Sequence, residues 1–409
     1  MPVRVFTDSK ITYGEVNVPV SKSEDSRISF IRSLANLTDD TQGSDAADTL
    51  QLKQLLTSDE LTLDATDGGT TARFMMAWCV VKQREAILTG TERLKQRPVA
   101  DSVDLLRQIG ADITYLDKEG FLPVHIKPAS LKKVNVLCAD GSRTSQHISA
   151  MMMIAPLLGH DVTIKLSNNL VSFPYLQLTA AVMNAFHVPV KISSEEIFIP
   201  NTSFAASSIT AGGDWSAASY FYEIAALSQQ AEIMIHGLNT ESVQGDKQVI
   251  DFFKPFGVET ISEKDRVVLT KKQMMVPDYF SGHFKHCPDI ALSLAATCGG
   301  LNCKADLFEL QGLLIKECDR VAAFQREGYK LNIKTDFCGG SKLKILEESL
   351  IKHSTRVLKS YNDHRVIMSF APLSLITGEV FLEETDSVKK SFPEYFFQLN
   401  KLGIRTATV

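Results

Sequence analysis

Residues 67–80 read DGGTTARFMMAWCV: an aspartate, a glycine pair, two hydroxyl residues and then an apolar run. Glycines and hydroxyls suit a turn and a helix start, and the run that follows suits a helix that is buried. The same parts return as DGSRTSQHISAMMMIAP from Asp140 and GDWSAASYFYEIAAL around Asp214. They return again as PDIALSLAATC around Asp289 and NDHRVIMSFAPL around Asp363. The aspartates at 67, 140, 214, 289 and 363 are spaced by 73, 74, 75 and 74 residues. Such a period is the mark of a repeated structural unit.

Working outward, a second kind of helix follows each of these starts. RPVADSVDLLRQIGADI from Arg97, FPYLQLTAAVMNAFHVPV from Phe173 and GDKQVIDFFKPFGVET from Gly245 are three of them. CDRVAAFQREGYKLNI from Cys318 and FPEYFFQLNKLGI from Phe392 complete the set. Apolar residues recur at helical spacing, as in Val103, Leu106 and Ile109, so each buries one stripe. Gly110, Gly257 and Gly403 stand where a helix C-cap wants a left-handed residue. Short β-branched runs such as VNVLCA, DVTIKL, EIMIHG and DRVVLT read as strands between the helices. SKSEDSRISFIRSLANL from Ser21, with DAADTLQLKQLL from Asp45, reads as a shortened first copy. The chain thus divides into six units of about 68 residues, each strand–helix–strand–helix–strand–strand. Six units split naturally into two α/β (α+β) domains of three, with Ala211-Gly212-Gly213 as the crossing. A cleft between two domains is a usual ligand site.

Composition narrows the function. With 44% hydrophobic and 22% charged residues, the 409-residue chain is an ordinary globular one. It is long enough to bury roughly three-quarters of its unfolded surface. A net charge of −5 gives no global field for nucleic acid or membrane. Any anion must therefore meet a local cluster of cations. Seven cysteines, without a C-x-x-C pair or a histidine at zinc spacing, read as free thiols in a reducing cytosol. No apolar leader or run near the length of a membrane span occurs, so a cytoplasmic protein is expected.

Cations and hydroxyls collect at the helix starts. Lys22, Ser23 and Arg27 lie at one; Gly69, Thr70 and Arg73 at the next; Thr144, Ser145 and Gln146 at the third. Lys316, Glu317 and Arg320 come in IKECDR, where helical spacing places Lys316 and Arg320 on one face. His364 and Arg365 follow Asp363, Lys390 precedes the last helix, and Arg97 precedes Pro98. Free N–H groups and a partial positive charge at such ends favour anions. A lone arginine there is usually a solvated surface charge, Gly-Gly-Thr-Thr is usually just a turn, and the Met and Ala stripes are core. Recurrence at equivalent places in most units points to anion binding.

These motifs resemble the enolpyruvyl transferase family, and within it 3-phosphoshikimate 1-carboxyvinyltransferase, or EPSP synthase. The resemblance runs in order through SKSEDSR (21–27), DGGTTARF (67–74), LTGTERLKQRP (88–98), TSQ (144–146), VSFPY (171–175) and GDWSAASY (213–220). It continues through VQGD (243–246), PDIA (288–291), IKECDR (315–320), YNDHR (361–365) and KSFPEYF (390–396). It implies two domains, each of three βαβαββ units in an inverse α/β barrel-like arrangement, with an interdomain cleft. The N-terminal domain would be residues 20–213, and residues 1–19 would join 214–409. It further implies transfer of the enolpyruvyl group of phosphoenolpyruvate to shikimate 3-phosphate by addition and elimination, in aromatic amino-acid biosynthesis. No metal or organic cofactor is expected, and the chain is expected to be a monomer.

Residue by residue, the resemblance implies that Lys22, Ser23, Arg27, Thr144, Ser145, Gln146, Ser172, Tyr175, Asp289 and Lys316 bind shikimate 3-phosphate. Lys22, Gly69, Arg97, Gln146, Arg320, Arg365 and Lys390 would face phosphoenolpyruvate. Asp289 would take the hydroxyl proton, and Glu317 with Lys22 would handle the methylene proton. Closure of the domains would bring the two sets together and expel water. Several positions depart from the family pattern: Val20, Glu24, Asp25, Asp67, Gly68, Gly312 and Cys318. They raise the alternative of a degenerate homologue that binds anions with little turnover. UDP-N-acetylglucosamine enolpyruvyl transfer is a rival, opposed by Ser23 and by Cys138 falling in a strand. RNA 3′-phosphate cyclisation is opposed by the net charge and the missing nucleophilic histidine motif.

Overall fold

The computed structural model describes residues 2–38, 43–167, 170–347, 351 and 353–409. The chain forms two compact units, Lys22–Ala211 and the residues up to Ser21 together with Gly212–Val409.

Among the described residues the repeat appears as five four-stranded sheets. In each, the first strand runs parallel to the second, and an antiparallel strand then lies between the second and the edge. In Lys22–Ala211 one sheet is Thr62–Asp64, Ala86–Thr89, Val124–Lys127 and Asp112–Tyr115, in that spatial order. Val136–Ala139, Val162–Leu166, Glu196–Ile199 and Lys191–Ile192 repeat it. In the other unit, Ile11–Asn17 pairs in parallel with Gln230–His236. The last sheet is completed from the start of the chain: Val3–Phe6 lies antiparallel to both Glu379–Leu382 and Arg405–Thr408.

The first copy differs from a full unit. Among its described residues it is two helices, Lys22–Leu34 and Ala47–Thr57, with no strand of its own. Where the sequence reads as six units with the first shortened, the described residues form five sheets plus this helical pair. No sheet among the described residues closes into a barrel.

The first helix of each full unit is core. Every residue of Trp215–Leu227, Ala291–Gly300 and His364–Phe370 is buried, as their largely apolar sequences favour. Strands such as Arg266–Lys271 alternate buried and part-exposed positions, with one face against those helices. Gly110, Gly257 and Gly403 have φ of +88°, +79° and +77°, the left-handed stop expected of them.

Of the five periodic aspartates, two cap their helices. Asp214 accepts the Ser216 and Ala217 N–H groups, and Asp363 accepts that of Arg365. Asp67 instead accepts the Thr91 hydroxyl, and Asp140 the Ser142 N–H and Ser167 hydroxyl. Asp289 sits inside a 3-10 turn, Pro288–Ile290, with its carboxylate turned to other work.

Glu223 is an exception in the core. It is 0% exposed, and neither carboxyl oxygen has a hydrogen-bond partner among the described residues. Burial holds its acid well above the ordinary range. A raised folded pKa means stability is lost as pH climbs from the unfolded value toward the folded one. Glu223→Met is therefore expected to stabilise this unit by about 1–3 kcal/mol. The gain should be larger at pH 8 than at pH 5 in urea unfolding; a destabilised variant would contradict the account.

Candidate active site

In the unit Lys22–Ala211, one cluster gathers around the helix starts of the first two copies. Lys22 begins its helix, and Nζ lies 3.0 Å from Asp48 Oδ2. Arg27 is buried and turned inward. Nη1 donates to the Ser23 carbonyl at 2.6 Å and Nε to Thr179 Oγ1 at 2.7 Å. Nη2 donates to Ser149 Oγ at 3.2 Å and the Tyr175 carbonyl at 3.4 Å. Of the five N–H donors of a guanidinium, two hold the Ser23 and Tyr175 carbonyls and two reach the Thr179 and Ser149 hydroxyls. Burial lowers its pKa to about 10, which leaves it charged at neutral pH.

Asp25, a departure from the family pattern, does not compete for anions at Lys22. It is 2% exposed, accepts the Ser44 N–H at 2.8 Å and pairs with Lys53 at 3.3 Å. Gly68, another departure, caps the helix Gly69–Val81. A Cβ there would lie 2.7 Å from Thr71 Oγ1 and 3.0 Å from the Ala65 carbonyl, so a larger residue would have to displace Thr71.

Gly69 and Arg97 form one device. A Cβ on Gly69 would come within 2.6 Å of Arg97 Nη2 and 2.8 Å of Cζ. Arg73 braces the pair from behind, donating to the Gly69 carbonyl at 2.8 Å and the Pro98 carbonyl at 2.6 Å. Burial and the charge of Arg97 lower the Arg73 pKa to about 9. Gly69→Ala should therefore push the Arg97 guanidinium aside and raise KM for an anion held by it about tenfold or more, the loss of one charge-assisted hydrogen bond. Steady-state kinetics with an unchanged KM would contradict this. Gln146 reaches Thr70 Oγ1 at 2.8 Å, and Thr144 Oγ1 accepts the Gln146 N–H at 3.2 Å. Ser145 stands at the start of the helix Gln146–Ile154, and Ser172, at φ +57°, at the start of Phe173–Ala185 just before Tyr175, neither with a side-chain cap.

The other unit carries a denser cluster. Asp289 Oδ1 accepts from Arg320 Nη1 at 2.8 Å and Oδ2 from Arg365 Nη2 at 2.9 Å. Lys316 Nζ is 3.7 Å from Oδ1. Burial pushes this carboxyl up, but Arg365, Lys316 and Arg320 outweigh it and hold it well below the usual carboxylate range. Arg320, 2% exposed, also gives Nη2 to Glu317 at 2.8 Å and Nε to Asp363 at 2.7 Å. One guanidinium thus joins three acids. Cys318 Sγ lies 3.7 Å from Asp363 Oδ2, and Lys390 donates to the Asn362 carbonyl at 2.8 Å.

The expectation that Lys316 and Arg320 share a helical face is corrected. Lys316 is extended, Asp319 caps, and the helix begins only at Arg320. Asp289 gathers the two from different local structures. Sequence reasoning also gave no role to Asp48, Asp246 or Asp363. The last two lie in the VQGD and YNDHR motifs, whereas Asp48 has no local signal.

Chemically, the second cluster is an ionised carboxylate held among cations that have further N–H groups to offer. It can accept a proton from a hydroxyl while its neighbours bind anions.

The whole length of the chain compares with one group of proteins. Residues 11–399 match the family of EPSP synthase (3-phosphoshikimate 1-carboxyvinyltransferase). A 3-phosphoshikimate 1-carboxyvinyltransferase of Bacteroides fragilis is 35% identical over 394 residues, 95% of each chain. One from Photobacterium profundum is 32% identical, covering 95% of this chain and 96% of its own. The solved EPSP synthase of Acinetobacter baumannii superposes with a TM-score of 0.77 at 18% identity, over 100% of this chain and 99% of its own, so it has the same fold. With the fold, the motifs and the relatives in agreement over nearly every residue, this chain belongs to the EPSP synthase family.

Proposed function

We infer that this chain transfers the enolpyruvyl group of phosphoenolpyruvate to the 5-hydroxyl of shikimate 3-phosphate. The products are 5-enolpyruvylshikimate 3-phosphate and inorganic phosphate, on the route to aromatic amino acids. The observation that carries the mechanism is Asp289, ionised between Arg320 and Arg365 with Lys316 near.

Both substrates are phosphate and carboxylate anions, and bringing them together costs several kcal/mol unless cations are in place. Lys22, Ser23, Arg27, Thr144, Ser145, Gln146, Ser172, Tyr175, Asp289 and Lys316 are assigned to shikimate 3-phosphate. Lys22, Gly69, Arg97, Gln146, Arg320, Arg365 and Lys390 are assigned to phosphoenolpyruvate. Asp289 takes the 5-hydroxyl proton as that oxygen attacks the enol carbon. Glu317 and Lys22 supply a proton to the methylene, giving a tetrahedral adduct. The same Glu317 and Lys22 pair then takes back a methyl proton as phosphate leaves, which restores the double bond.

Two departures that suggested a degenerate homologue are accounted for locally. Asp25 is occupied by Lys53 and Ser44, and Asp67 by Thr91. No described helix is long and apolar enough to cross a membrane; cytoplasmic residence and a monomeric state complete the reading. Purified protein should release phosphate from phosphoenolpyruvate only when shikimate 3-phosphate is present. Release without the sugar acid, or none with it, would refute the assignment.

A further inference from the structure

A second acid lies behind Asp289 in the same unit and has no part in the steps above. Asp246 belongs to the short turn Gly245–Gln248 and is 4% exposed. Its Oδ2 accepts the Ser216 hydroxyl. Its Oδ1 is buried with no hydrogen-bond partner among the described residues, and so are Arg365 Nε and Tyr220 Oη. The neighbouring ion pairs from Arg320, Arg365 and Lys316 end on Asp289, Glu317 and Asp363. The turn bearing Asp246 is tied to the turn bearing Asp289 by Cys287, whose Sγ is 3.5 Å from Gln248 Oε1.

The groups that face Asp246 come from each element around it. Asp289 lies on the adjoining turn, Arg365 on the helix His364–Phe370, and Asp214 and Ser216 at the start of Trp215–Leu227. Burial and the Asp289 charge push its carboxyl up, with Asp214 adding to them; Arg365 and the Ser216 hydrogen bond pull it down, and the balance is about 7. When two buried carboxyls share one guanidinium, the one with the direct ion pairs ionises and the other keeps its proton. Here the ionised one is Asp289.

We propose that Asp246 is a positioning residue that acts in its uncharged form, leaving the charge of Arg365 to the anionic substrate and the role of base to Asp289 alone. Once Asp246 ionises, a second negative charge competes for Arg365, and the site holds an incoming anion less well. A unit charge at this range in a buried site changes anion affinity by a factor of about ten or more.

The inference rests on the enolpyruvyl-transfer reading only for its kinetic test. Carbon-13 NMR of aspartate carboxyls in the full chain between pH 5 and 9 reads the proton directly. One resonance should titrate near neutrality and be missing from Asp246→Asn. Ser216→Ala, which removes a donor to the ionised form, should move that inflection to higher pH. No resonance titrating there, one that persists in Asp246→Asn, or an inflection unmoved by Ser216→Ala would overturn the proposal.

In the kinetic test, KM for phosphoenolpyruvate should rise about tenfold more for the wild type than for Asp246→Asn between pH 6 and 9. The ratio of kcat values should stay nearly constant. Parallel KM profiles would overturn the proposal. Absence of turnover in the wild type would count against the enolpyruvyl reading, with the NMR titration still deciding the state of Asp246.

Discussion

Asp289→Ala is expected to lower kcat by about three orders of magnitude, within the range a general base contributes, while phosphoenolpyruvate binding holds or tightens. The carboxylate lost is the proton acceptor, so the chemical step fails. It is also the anion paired with Arg320 and Arg365. Without it Arg365 and the Nη1 of Arg320, which stays paired with Glu317 and Asp363, are left for a substrate anion, which can replace the lost charge. Single-turnover rates and calorimetric titration separate the two effects. A near-normal rate, or binding weakened tenfold, would remove Asp289 from this role.

The pH dependence has a definite sign. A carboxylate whose folded pKa is depressed contributes stability above its unfolded value and loses it as pH falls through the folded value. With Asp289 held well below the usual range, its ionisation should not limit turnover anywhere near neutrality.

The largest stability effect is expected at Arg320. Arg320→Met leaves Asp289, Glu317 and Asp363 facing one another with one cation fewer, and Asp363 is 0% exposed. Breaking a buried ion pair from one side typically costs about 3–5 kcal/mol. Arg320→Lys should recover little, because a single ammonium cannot present three donors to three separately placed acids. Urea unfolding of the purified variants measures this, and a loss below about 1 kcal/mol would mean the network is solvated rather than buried.

The repeat was legible because each unit must bury one all-apolar helix, and that need recurs in the sequence at a fixed interval. The cationic positions were legible because they recur at the ends of those helices. Partnerships were harder to read. Asp289 and Arg365 are 76 residues apart, and Lys22 and Asp48 are 26 apart; no local pattern joins them. Local pattern misled at IKECDR, because the Asp319 cap delays the helix until Arg320. At Asp25, a carboxylate that looked poised to repel anions turns inward because Lys53 and the Ser44 amide offer it better partners.

The placement of Val3–Phe6 has a consequence for biosynthesis. This strand lies between Glu379–Leu382 and Arg405–Thr408, so a strand made early is joined on both sides by strands made much later. The unit Lys22–Ala211 can assemble its sheets while translation continues, whereas this sheet must wait until residues 379–408 have been made. Until then the opening strand is a bare edge that a chaperone, or another unfinished copy, could occupy.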